Sequence, residues 1–251
     1  MTLARKAARL PSIARDGWRY PALRVRARGE QTAVEALAAL GLQTDHLERE
    51  FEEIAPRIYE QLAKRARAAG DELAATRAAG HSESSEEGKK LLYLSVRVTR
   101  PRLVVETGPF NGASTTFLLH ALEANGGEGR LISFDLKDAR DALGVPIPEG
   151  REPAWLVPYE LRPRFELVLG DTRRTLRRRL AHERPVDVFF HDSLHTTRHM
   201  LFEFRVAWRY LERGGVLVSD DVFWNPAFWA FTRVHRVPFT HIGTMGATRK
   251  P

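Results

Sequence analysis

The sequence predicts an α/β fold: a doubly wound, mostly parallel sheet with a C-terminal antiparallel hairpin, behind an N-terminal helical cap. Three observations carry this. From Arg102 onward, short and nearly continuous apolar runs alternate with helix-length segments, as expected of strands buried on both faces of a parallel sheet. Before that point, apolar side chains recur at spacings of three and four, the period of a helix face. The length of 251 residues suits one large α/β domain with an appendage.

Composition narrows the class. Apolar residues make up 43% and charged residues 28% of the chain, an ordinary globular balance. There is no cysteine, which excludes a disulfide framework, a thiolate nucleophile and a zinc–thiolate site. No apolar run reaches the roughly 18 residues that span a bilayer, and the first 20 residues lack the apolar core of a secretory signal. A cytoplasmic protein is the expectation. The formal charge is +7, but residues 1–30 hold eight basic side chains against two acids. The expected organisation is therefore a basic arm over 1–30, a helical cap over 31–100 and the main domain over 101–251. The arm has the charge to attract an anionic membrane surface or nucleic acid. The simpler reading is a tail that is solvated or packed on the body.

The elements follow in order. Leu47, Phe51, Ile54, Ile58 and Leu62 lie on one helix face, and Pro56 is expected to kink or split that helix. Ser84 with Glu87 fits a capping box for a helix running to about Thr99. The strands are read at 103–107, 131–135, 165–170, 186–192 and 215–221, with crossover helices over 113–125, 171–182 and 196–212. The proline-rich stretch 138–164 reads as an irregular excursion with a short helix. Asn225-Pro226 reads as the N-cap and first position of a further helix. Residues 239–250 read as a closing hairpin turning at Gly243–Gly246.

The chemistry gathers at strand ends, where ligands of such sheets bind. The first strand runs into Glu106-Thr-Gly108-Pro-Phe-Asn111-Gly112-Ala-Ser114 and then a helix. Glycines at such a turn let a ligand approach the backbone. The spacing is not that of a dinucleotide fingerprint, and Glu106 beside the loop suits an amino group better than a pyrophosphate. The second strand ends in Asp135, placed to accept from two ribose hydroxyls. The third ends in Gly170-Asp171, an acid placed to meet an adenine amino group. Each acid alone could instead be a helix N-cap.

These motifs, with HDSLHTTRHMLFEF at 191–204 and LERGGVLVSDD at 211–221, resemble class I S-adenosylmethionine (SAM)-dependent methyltransferases, whose domain is Rossmann-like. The last pair is similar to the branch of macrocin-type sugar O-methyltransferases, and more distantly to catechol O-methyltransferase and cephalosporin hydroxylase. The resemblance implies SAM as cofactor. It places Glu106, Gly108 and Gly112 around the methionine part, with Asn111 and Ser114 in the same loop, Asp135 at the ribose and Asp171 at the adenine. It also sets the strand ending in Asp192 beside the one ending in Asp220 and Asp221. Three carboxylates on one edge suit Mg²⁺ or another hard divalent cation, which lowers the pKa of a substrate hydroxyl. Where relatives read Asp-x-Asp-His, this chain has Asp192-Ser193-Leu194-His195, which makes His195 the leading general base and His191 the runner-up.

The expected function is a metal-assisted O-methyltransferase acting on a hydroxyl of a small molecule or saccharide, with Asp192 and His195 in the catalytic set. The alternatives are a metal-independent enzyme with His195 as base, a nucleic-acid methyltransferase using the arm, and a cofactor-binding protein without turnover. Trp224 and Trp229 are candidates for an acceptor pocket, and the N-terminal helices for a lid or a homodimer contact.

Overall fold

The computed structural model describes residues 32–78, 86–140, 144, 146–183 and 185–251. The basic arm and Ser84 lie outside the described residues. The first helices are α1 (Ala33–Ala39), α2 (Leu47–Ala68), α3 (Glu72–Ala78) and α4 (Glu86–Thr99). A capping box joins Thr32 and Glu35 at the start of α1. Glu87 accepts from the Ala33 N–H at 2.7 Å, tying α4 to α1, and pairs with Lys90 at 2.9 Å.

Pro56 does not split α2, contrary to expectation. The helix runs through it for 22 residues. Pro56 lies on the exposed face, where water can satisfy the carbonyl it leaves unpaired. The opposite face buries Phe51, Ile58 and Leu62. At about 1.5–3 kcal/mol each, these outweigh the roughly 3 kcal/mol cost of an interior proline.

The sheet has seven strands: β1 (Leu103–Thr107), β2 (Arg130–Asp135), β3 (Phe165–Leu169), β4 (Val186–His191), β5 (Leu211–Ser219), β6 (Phe239–Ile242) and β7 (Met245–Arg249). Their spatial order is β3-β2-β1-β4-β5-β7-β6. The first five pair in parallel, and β7 pairs antiparallel with both β5 and β6. The order reverses between β1 and β4, so the crevice outside their carboxyl ends is the switch point.

Alternation along each strand sends its side chains to two cores. Val104, Val188, Phe190 and Val218 meet α1, α2, α4 and α5 (Ala113–Ala124) on one face. Val105, Phe134, Phe189 and Leu217 meet α6 (Thr172–Leu180), α7 (Thr197–Tyr210) and α8 (Ala227–His235) on the other. Helices α1, α2 and α4 are thus a packing layer of the sheet and share its core. Among its described residues the excursion is irregular apart from a bridge between Arg140 and Pro146 and a 3₁₀ turn at Tyr159–Arg164. α8 begins one residue later than read from sequence, with Pro226 at the N-cap, and Asn225 Oδ1 accepts from the Ala227 N–H at 2.9 Å.

Candidate active site

The glycine loop sits between β1 and α5. Gly108 and Gly112 have φ of 81° and 94°, and Phe110 between them is also left-handed at 44°. At Gly108 the reason is contact as well as conformation. A Cβ there would stand 2.1 Å from the carbonyl oxygen of Asp192, just beyond β4. Only glycine lets the two switch-point segments approach so closely. The excursion covers the far side of the loop. Ala154 N–H donates to the Phe110 carbonyl at 2.6 Å, Leu156 N–H to the Asn111 carbonyl at 3.0 Å, and Trp155 Nε1 to Asn111 Oδ1 at 2.7 Å.

Glu106 lies beneath the loop and is 0% exposed. Its carboxyl accepts from Ser114 Oγ at 2.6 Å, Thr115 Oγ1 at 2.8 Å and Ser133 Oγ at 2.6 Å. Burial pushes its pKa up and the three hydroxyls pull it down, leaving it above the ordinary carboxylate value. Glu106 therefore braces the start of α5 and β2 from below. Asp135, at the end of β2, accepts from the N–H groups of Phe110 at 3.0 Å and Leu136 at 2.7 Å. Burial pushes its pKa up to about 6. Asp171 caps α6 by accepting from Arg173 N–H at 2.9 Å.

The second half of the edge holds His195 between two acids. Its Nδ1 lies 3.0 Å from Asp221 Oδ2, and its Nε2 lies 3.5 Å from Asp192 Oδ1. Nε2 is buried and has no hydrogen-bond partner. The rings of Trp224 and His191 meet His195 edge-on, at 5.7 and 5.4 Å between centroids. Leu194, in place of an acid, points out half-exposed.

The expected triad of carboxylates does not converge here. β5 ends at Ser219, and Asp221 takes a left-handed φ of 52°, so Asp220 and Asp221 do leave the strand regime together. Asp220 turns inward, where its Oδ1 accepts from Thr244 Oγ1 at 2.7 Å and Asp221 N–H at 2.8 Å. Burial and then the neighbouring Asp221 charge raise its pKa. Asp192 and Asp221 both address the imidazole of His195. Among the described residues, no group of three His, Asp or Glu side chains is arranged to hold a metal. The donor set does not fit the expected Mg²⁺ site, because an imidazole occupies the centre and one carboxylate is committed elsewhere.

The sequence reading missed Glu203. This α7 residue is 0% exposed and gathers five side chains. It accepts from Thr107 Oγ1 and Thr172 Oγ1 at 2.6 Å each, and from Ser193 Oγ at 3.0 Å. His191 Nδ1 and His199 Nε2 each lie 2.7 Å away. Burial pushes its pKa up, but the two histidines outweigh that and hold Glu203 well below the carboxylate range. Burial in turn pushes His191 down. One carboxylate thus ties together the ends of β1 and β4, the start of α6 and the loop that carries His195. Its signal in the sequence was a lone acid in the apolar run MLFEF, four residues after a histidine.

Residues 105–222 match the model of a methyltransferase domain family. No curated protein sequence matches the chain significantly. Three solved structures share the fold at low identity. An O-methyltransferase from Bacillus cereus, solved with SAH, is 19% identical, with a TM-score of 0.55, 76% of this chain covered and 91% of the other. The O-methyltransferase of tomaymycin synthesis from Streptomyces achromogenes, solved with SAM, is 20% identical, with a TM-score of 0.54 and coverages of 77% and 90%. A methyltransferase from Geobacter sulfurreducens is 20% identical, with a TM-score of 0.51 and coverages of 74% and 88%.

Proposed function

From the match of residues 105–222 to a methyltransferase domain family, we propose that the chain is a class I, SAM-dependent O-methyltransferase with His195 as its general base. The acceptor is a hydroxyl of a small molecule or saccharide. The observation that carries this reading is the buried, unpartnered Nε2 of His195. Asp221 Oδ2, 3.0 Å from Nδ1, favours the proton on that nitrogen and so leaves the Nε2 lone pair for a hydroxyl proton.

The residue roles follow the geometry. Gly108, Asn111, Gly112 and Ser114 form the cradle for the methionine part of SAM, with Glu106 bracing them from below. Asp135 takes the ribose, since each of its oxygens accepts one backbone N–H and keeps a lone pair for a hydroxyl. Asp171 is the proposed adenine contact. Bound in that cradle, SAM would supply an electrophilic sulfonium methyl, with the neutral thioether as the leaving group. His195 takes the hydroxyl proton on Nε2. Asp192 and Asp221 then flank an imidazolium and stabilise it. The protein's remaining contribution is alignment of oxygen, methyl and sulfur.

Trp224, edge-on to His195, and the exposed Leu194 supply the apolar wall of the acceptor pocket. The cation-free reading is favoured because His195 holds the place the metal would need. The test is calorimetric titration of SAM into wild type and Asp135→Ala. Micromolar binding that weakens at least tenfold in the variant supports the cofactor site. Equal affinity in both refutes it.

A further inference from the structure

Two neighbouring helices, α6 and α7, present a one-sided charge. Arg173, Arg174, Arg177 and Arg178 on α6 and Arg198, Arg205 and Arg209 on α7 are all exposed. The only acid within either helix is Glu203, which is buried and faces the other way. None of these seven guanidinium groups forms an ion pair among the described residues. The acids beside them are committed: Glu166 and Glu183 pair with Arg130 and Arg179, and Glu212 Oε1 accepts the Arg213 N–H.

Four of the arginines line a groove of about 390 Å³ with Phe202 and Tyr210 between them: Arg177, Arg198, Arg205 and Arg209. The α7 members sit at i, i+7 and i+11, one stripe of the helix about 16 Å long. Phe202 and Tyr210 are half-buried, and the Arg209 guanidinium lies 6.0 Å from the Tyr210 ring centre. Unpaired like charges held in a row repel one another. A ligand with several negative charges relieves that cost.

We propose that this groove binds nucleoside phosphates, free or in a single strand. Arg177, Arg198, Arg205 and Arg209 engage the phosphates, and Phe202 and Tyr210 receive the base. Planar guanidinium forks match phosphate oxygens in a way lysine does not. Aromatic faces set between arginines add stacking, which an acidic peptide cannot use. The groove starts at the first turn of α7, just past the loop that carries His195, and runs along the helix to Tyr210. The proposal does not depend on O-methylation, because binding is read directly.

The test is fluorescence anisotropy of the full chain with a labelled oligouridylate, with ADP and an oligoglutamate as competitors. The groove variant is Arg205→Glu/Arg209→Glu. The control is Arg57→Glu/Arg67→Glu, exposed positions on α2 with the same change of net charge. The groove variant is expected to bind at least tenfold more weakly, with the salt slope reduced by about 1.4, and the control to stay within threefold of wild type. Competition by ADP identifies a mononucleotide site, and competition by unlabelled strand alone identifies a polynucleotide site. Three results overturn the proposal: wild-type affinity in the groove variant, an equal loss in the control, or competition by oligoglutamate as strong as that by nucleotides.

Discussion

Replacing Glu203 with alanine removes the acceptor at which five side chains meet. Thr107 and Thr172 lose bonds of 2.6 Å, and His191 and His199 lose partners at 2.7 Å, all at buried positions. Each stranded buried donor costs about 1–3 kcal/mol, and breaking a buried charged interaction typically costs about 3–5 kcal/mol. Some hydroxyls will rotate to other partners, so a loss of about 4 kcal/mol is the expected scale. Total stabilities run to about 5–15 kcal/mol, so the variant should be close to unfolding. Glu203→Gln keeps an acceptor but adds a donor where only acceptors are wanted, and it should fall between the two. Urea unfolding followed by near-UV circular dichroism measures all three proteins. A loss below about 1 kcal/mol for the alanine variant would refute the role assigned to this carboxylate.

Three further outcomes follow. Activity should persist after EDTA treatment, because the acids at the edge address His195; loss on chelation with recovery on added Mg²⁺ would restore the metal-assisted reading. SAM affinity should weaken about tenfold from pH 7 to pH 5, measured by calorimetry, since Asp135 has a pKa pushed up to about 6 and must be ionised to accept from ribose. The same shift acts on folding with a definite sign. The native carboxyl holds its proton between the ordinary value and about 6, so this group's contribution to stability falls as pH rises through that window. Gly108→Ala should lower the melting temperature by more than Gly126→Ala. Both have φ near +70 to +80°, but only at Gly108 does a Cβ meet backbone, whereas Gly126 has nothing within 4 Å.

The sheet was legible because buried parallel strands are written as unbroken apolar runs, and each run from LVVET to GVLVS lies in a strand, although β5 starts at Leu211, four residues before the expected 215. The loop glycines and strand-end acids were legible for the same reason, since they interrupt those runs at the carboxyl end. Of the kink or split expected at Pro56, the split does not occur, because local propensity says nothing about which face of a helix is exposed. The metal expectation counted carboxylates without their hydrogen bonds. Asp220 turns its Oδ1 to Thr244, and the imidazole of His195 stands between Asp192 and Asp221. Glu203 was invisible as a hub because its partners are spread from Thr107 to His199 and meet only in three dimensions. The charge was legible in part. The basic arm at 1–30 lies outside the described residues, and the unpaired arginines of α6 and α7 come together only because those two helices pack side by side.

The most direct measurement is methyl transfer from isotopically labelled SAM to a panel of saccharide and phenolic hydroxyls, comparing wild type with His195→Ala. Label should appear on an acceptor oxygen with wild type. In the variant it should fall by at least a hundredfold, within the roughly 10²–10⁴ range of a lost general base, with SAM affinity unchanged. Transfer by His195→Ala at the wild-type rate, or transfer only to nitrogen or carbon, would contradict the assignment.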